Sequence, residues 1–318
     1  MNYEYHSGFC KDIKSFISFK TSLGFSESSY AKFMHNFDSF CANKYPLIDN
    51  LTQAIVDEWA SPRTKEQING VKRRLYAIRQ FGQYLCYIGK CAYVVPSKHI
   101  GDYLPFTPYI YDDVELKAFF AAADSIKPSK LAPYREHIVP ILFRLLYCCG
   151  LRASEVRHIR CADIHYDNGV LKISESKGHR DRNVVLSQDI LKLCREYEQN
   201  ISARHPNRRY FFEHPNGEAY TANWVQRQFW VCWKKSGITF RDRRKPRVSD
   251  WRHNYATRIM SKWLNEKRDI NALLPYLSEY MGHSSLESSA YYIRLLPERI
   301  RTDEFLGMAN LFPDVPNG

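Results

Sequence analysis

The chain has 318 residues, 44% hydrophobic and 25% charged, with a net charge of +12 and a pI near 9.2. That length accommodates two domains of ordinary size. No stretch approaches the roughly 18 apolar residues that span a bilayer, no basic amphipathic helix with an exposed apolar face marks a membrane surface, and the positive charge points to a polyanion, with nucleic acid first. The nine cysteines are odd in number and form no C-x-x-C, which argues against a disulfide framework and a zinc site. The N-terminus lacks the charged-then-apolar layout of a signal peptide, so a cytoplasmic location is expected.

The first part of the chain reads as helices. Apolar residues recur at helical spacing over 9–25, ending near Gly24. Ser26 is the expected N-cap of a second helix over 26–45. A short third helix covers 51–61 and a long fourth covers 64–89. The fourth carries a basic cluster, Lys72, Arg73, Arg74 and Arg79, which is either a solvated face or a phosphate-facing surface. Residues 94–112 hold three prolines and show no period, the pattern of a linker. The expected division is a helical domain over 1–95, a linker over 96–111 and a second domain over 112–318.

The second part mixes elements. A helix starts near Asp112–Asp113, and the apolar helix over 137–150 stops at Gly150. Two strands, 169–176 and 183–187, flank a polar turn over 177–182, which makes a hairpin. Helices follow over 189–201, 221–235, 250–264 and 286–294. The expected fold class is mostly α with a small β-sheet.

Four separated segments join basic or nucleophilic residues to turn signals: "GLRASEV" (150–156), "SKGHRDR" (176–182), "SDWRHNYATR" (249–258) and "MGHSSLESSAYY" (281–292). Each alone is weak. Together, two arginines, a lysine, a histidine and a phenol suit a phosphodiester. Guanidinium forks bind two phosphate oxygens at once, and a phenol becomes a nucleophile where cations stabilise its anion. No carboxylate cluster suggests Mg²⁺ and no Gly-rich loop suggests a nucleotide. The residues alone do not choose between Tyr291 and Tyr292.

These segments resemble the tyrosine recombinase, or phage integrase, family. Arg152 and Glu155 match its "G-L-R-x-x-E", Lys177 its hairpin lysine, Arg252 the arginine of its H-x-x-R, and Gly282, His283 and Tyr292 its final motif. The stretch 269–298 is most similar to recombinases carried by transposons and other mobile elements. Ser249 departs from the pattern, standing where the family has the histidine of H-x-x-R; His253, which follows Arg252, does not fill that slot.

The resemblance implies an N-terminal helical core-binding (SAM-like) domain and an α+β catalytic domain that cuts and rejoins DNA without a cofactor. Tyr292 is then the nucleophile, and Tyr291, about 100° away on a helix, packs. Arg152, Arg252 and His283 face the phosphate, Lys177 protonates the leaving oxygen with Arg180 and Arg182 as nearby rivals, and Glu155 orients its neighbours. The basic run 241–247, including Arg243, Arg244 and Lys245, is expected to contact phosphate. The implied partner is double-stranded DNA, bound by a homotetramer assembled from a chain monomeric in solution, with accessory recombinases from the same element possible. Leu306, Met308, Leu311 and Phe312 make the tail apolar, as in tails that pack on a neighbouring protomer. The alternative is a DNA-binding protein whose active site has decayed, with Ser249 as its mark; a type IB topoisomerase shares the nicking chemistry but fits the helical first part less well.

Overall fold

The computed structural model describes residues 3–64, 66–103, 107–174, 181–240, 245–283, 285 and 287–295. The chain divides into two compact units, Met1–Phe106 and Thr107–Gly318.

The first unit is built on α1 (Cys10–Ser22), α2 (Ser28–Lys44), α3 (Gln53–Ala60), α4 (Ile68–Tyr87) and the short α5 (Ser97–Ile100). Their apolar stripes meet in an aromatic core of Phe9, Phe16, Phe37, Trp59 and Phe81, with Phe16 and Phe81 edge to face at 5.5 Å. The buried Asp38 carboxylate accepts from the His6 and Ser7 backbone amides at 2.7 and 3.0 Å and from the Ser7 hydroxyl at 2.6 Å, which pins the N-terminal segment onto α2. Backbone passes so close to α4 at Gly82 that an added Cβ would stand 2.6 Å from the Tyr93 carbonyl oxygen.

One local expectation changes here. Ser26 is not the N-cap of α2: the helix begins two residues later, behind Glu27 in helical geometry, and no side chain caps it. Ser26 instead bonds the Ser28 hydroxyl at 2.8 Å. The expected linker, 96–111, carries structure of its own. It contains α5, and Ile100 is buried in the first core, while Tyr109 and Tyr111 are buried in the core of the second unit.

The second unit opens with α6 (Asp113–Asp124), started by a capping box in which Asp112 and Glu115 each accept from the other's backbone amide. Next come α7 (Arg135–Cys149), α8 (Ala153–Arg157), β1 (Ile164–His165), β2 (Val170–Ile173), β3 (Arg182–Val185), α9 (Gln188–Ser202), α10 (Ala222–Ser236), α11 (Asp250–Asn265), α12 (Ile270–Met281) and α13 (Glu287–Ala290), then a 3-10 turn over Tyr291–Leu295. The core centres on Phe119, Phe143, Phe229 and Trp251, all fully buried. The strands form an antiparallel sheet ordered β1-β2-β3, with Ile173 opposite Arg182. Alternation buries Leu171, Ile173, Arg182 and Val184 and exposes Lys172 and Asn183. An arginine therefore enters the buried face at the base of the hairpin.

Candidate active site

The C-terminal ends of two helices organise the site. A helix leaves its last carbonyls unpaired and its C-terminal end partly negative. At α12 three guanidiniums take up that role: Arg182 Nε donates to the Tyr280 carbonyl at 2.7 Å, Arg252 Nη2 to that of Met281, and Arg152 Nη2 to that of Gly282 at 2.6 Å. Arg252 also donates through Nη1 to the Gly150 carbonyl, just past the end of α7, at 2.8 Å.

Both glycines are required by position. Gly150 has φ +61° and Gly282 φ +62°, the left-handed region that closes a helix. A Cβ on Gly150 would meet the Tyr255 ring at 2.5 Å, and one on Gly282 would stand 3.2 Å from Arg182 Nη1 and 3.5 Å from Arg152 Nη1.

Glu155 balances the cluster. Its side chain accepts from Arg182 Nη1 and Nη2 at 3.0 and 2.8 Å, from Arg152 Nη1 at 2.7 Å and from the Arg152 backbone amide at 2.8 Å. Burial alone raises its carboxyl; bonds and charge from Arg182 and Arg152 outweigh that and hold it down at about 2. Arg152 keeps 23% of its side-chain surface exposed, whereas Arg252 is buried. Burial, with the Arg152 charge, lowers Arg252 to about 10, still cationic at neutral pH.

His283 follows directly after the Gly282 turn. Its Nδ1 lies 2.7 Å from the Ser289 hydroxyl, and both residues are buried. Burial first, then Arg252, Arg152 and Arg182, depress its imidazole to about 3, so the ring is neutral. With Ser289 as donor, Nε2 carries the proton. The ring stacks on Tyr292 at 5.8 Å and 28°.

Tyr292 lies on the 3-10 turn and is 3% exposed. Burial raises its phenol; the neighbouring Arg252 guanidinium, and then the Arg152 charge, pull the other way. Tyr291 is half-buried, its ring 6.0 Å from that of Tyr292. On a 3-10 turn adjacent residues diverge by about 120° rather than 100°, so the two phenols occupy different environments.

Arg152, Glu155, Arg252, His283 and Tyr292 therefore converge. Ser249 is exposed at the start of α11, and its side chain makes no capping bond. Lys177, Arg180, Arg243 and Arg244, and the apolar tail residues Leu306, Met308, Leu311 and Phe312, lie outside the described residues; Lys245 is exposed. Arg182 enters the sequence reading only as a rival for the lysine role, yet all three of its side-chain nitrogens donate to Glu155 or the Tyr280 carbonyl; the period-2 alternation of β3 is the available signal. Ser289 gives no signal of its own, and His253 only that of following Arg252: the residues around them come together only in the fold.

The basic cluster on α4 is not a single phosphate-facing surface. Arg74 is buried, bound to Glu66 at 2.8 and 2.6 Å and to the Trp59 and Ser61 carbonyls. Lys72 donates to the Asp102 carbonyl and Arg79 to that of Val95. Of the four, Arg73 is exposed. The helical period explains the split, since residues 72–74 point in three directions.

The Phage integrase family pattern matches residues 112–299, from the N-cap of α6 through the 3-10 turn. The chain belongs to that family. The integrase/recombinase y4rB of Sinorhizobium fredii is 26% identical over 310 residues, covering 93% of this chain and 95% of that protein. Tyrosine recombinase XerC of Chlamydia caviae is 28% identical over 228 residues, 70% of this chain and 66% of that one. Among solved structures, the XerH site-specific recombinase bound to palindromic difH substrate, a post-cleavage complex, aligns with a TM-score of 0.66 at 20% identity, over 91% of this chain and 80% of its own. The Tn1549 transposon integrase in complex with transposon right end DNA aligns with a TM-score of 0.63 at 14% identity, over 94% and 98%. At such identities the likeness is one of fold, and the expected class, mostly helical with a small sheet, holds. Among the described residues no helix is long and apolar enough to cross a membrane.

Proposed function

We propose that the chain is a site-specific DNA recombinase of mobile-element type that cleaves and rejoins double-stranded DNA through a 3′-phosphotyrosyl intermediate. The observation that carries this reading is the buried Tyr292 phenol beside Arg252, within a cluster that also holds Arg152 and the stacked His283 ring. The Tyr292 oxygen attacks phosphorus, the bond to the 5′-oxygen breaks, and the diester is conserved, so a 5′-hydroxyl from another strand reverses the step. The phenol proton passes to water, and Lys177 supplies one to the departing oxygen. Arg152, Arg252 and the neutral His283 Nε2–H are donors for the charge that develops on the phosphoryl oxygens. Their preorganisation by helix ends and Glu155 is the largest contribution expected from the protein.

The first unit serves as the DNA-holding core-binding domain, and the active assembly is a homotetramer on DNA. Incubating the full chain with a pool of nicked, randomised duplexes and recovering covalent protein–DNA adducts tests the reading and yields the site. A protein that binds duplex but forms no adduct supports the second reading, a binder with a decayed active site, which the exposed, bond-free side chain of Ser249 favours.

A further inference from the structure

Ser249 removes one imidazole from the pattern, but α11 carries another one turn later. Ser249 already has helical backbone angles, φ −64° and ψ −22°. His253, four residues on, therefore lies about 40° around the axis and about 6 Å along it. Its ring packs against both tyrosines, 5.5 Å from Tyr292 and 6.3 Å from Tyr291. Its Nδ1 is buried and has no hydrogen-bond partner. A buried polar atom left unpaired costs about 1–3 kcal/mol, so its presence beside the reacting phenol calls for an explanation.

The phenol's own neighbour supplies one. In the DNA-free chain the Tyr292 phenol sits in the field of Arg252, whose guanidinium donates to the Gly150 and Met281 carbonyls. Under the strand-cleaving reading, on which this inference rests, Arg252 must turn donors toward the scissile phosphate, and the phenol must leave it. The phenol then needs an acceptor on its exit path. We propose that His253 is that acceptor: a positioning residue whose unpaired Nδ1 takes the Tyr292 hydroxyl as Arg252 transfers to phosphate, supplying from position 253 an imidazole that position 249 lacks. A neutral ring is required, and burial together with the charges of Arg247 and Arg252 keeps it neutral, holding its imidazole down to about 4.

The test is single-turnover adduct formation by the full chain on nicked duplex carrying a site recovered from the randomised pool. His253→Phe keeps the ring and removes Nδ1. His253→Asn removes the ring but places an acceptor oxygen near the position of Nδ1, whereas His253→Gln places it near Nε2. Loss of one neutral hydrogen bond corresponds to roughly tenfold. We expect His253→Phe to form adduct roughly tenfold more slowly at unchanged duplex affinity, and His253→Asn to recover most of that loss. If His253→Phe fails to fold, the comparison passes to Asn over Gln, with Asn expected faster. Wild-type rates in His253→Phe, or equal rates in Asn and Gln, overturn the proposal. A wild-type chain that forms no adduct overturns the strand-cleaving reading itself and this inference with it.

Discussion

Glu155 and Arg182 form a two-point ion pair, Nη1 to Oε1 at 3.0 Å and Nη2 to Oε2 at 2.8 Å, with both side chains almost wholly buried. The pair joins α8 to β3, and Arg182 Nε extends the link to the C-terminal end of α12. Removing one partner of such a pair strands the other charge and costs about 3–5 kcal/mol. Arg182→Met is therefore expected to lower unfolding free energy by about that amount, read from urea denaturation. A loss below about 1 kcal/mol would show the pair to be dispensable.

The nucleophile assignment separates the two tyrosines. Tyr292→Phe should bind duplex normally and form no covalent adduct, because it removes only the phenol oxygen at Arg252. Tyr291→Phe should keep adduct formation, since its ring is half-buried packing. A dead Tyr291→Phe beside an active Tyr292→Phe reverses the assignment.

Arg73 and Arg74 are neighbours with opposite roles. Arg73→Ala, an exposed cation, should leave folding unchanged and reduce the log–log salt slope of duplex binding by about 0.9, one phosphate's worth. Arg74→Ala removes a buried guanidinium from half-buried Glu66 and from the Trp59 and Ser61 carbonyls and should cost about 1–3 kcal/mol of stability. Equal effects of the two on stability would count against this division.

Much of this was legible before the fold was known, and the limits have physical causes. Gly150 stopping α7 and the two strands of the hairpin are local signals, and local chemistry placed them. The α4 cluster is legible as basic, but its division between buried and exposed cations is not, because a run of three cations on a helix cannot share a face. The short α8 and β1, and α12, leave no clear periodic signal in the sequence. α12 spans only 12 residues and carries an internal proline, which obscures its period. Which residues hold the arginines in place was not legible at all: the partners are backbone carbonyls at helix ends, and no side-chain motif records them.

Acid should weaken the second unit in two windows. His283 and His253 titrate in the fold at about 3 and about 4, against an ordinary 6.5. The unfolded chain binds these protons more readily, so their contribution is complete above about pH 6.5 and is lost as pH falls toward 4 and then 3. Glu155, held at about 2 against an ordinary 4.5, adds a second loss below about pH 4.5. Melting temperature should fall more shallowly between pH 6.5 and 4 in His253→Phe than in wild type. Parallel curves would mean that His253 is not buried as a neutral ring.

Ser249 sets the sharpest expectation for rate. Its side chain is exposed and caps nothing, so Ser249→Ala and Ser249→His should both leave stability within about 0.5 kcal/mol, and any change in cleavage reports chemistry. A serine hydroxyl is shorter than an imidazole and always neutral, with a single donor to offer. Arg152, Arg252 and His283 still supply most of the donors, so wild type should cleave, below a histidine-bearing site by less than the roughly 10²–10³ that one preorganised donor contributes. Ser249→His should speed single-turnover adduct formation and Ser249→Ala should slow it modestly. If only Ser249→His forms adduct, the natural chain is a decayed recombinase. If Ser249→His slows cleavage, a second imidazole on the same face of α11 competes with His253 for the phenol, and the site has been rebuilt around serine.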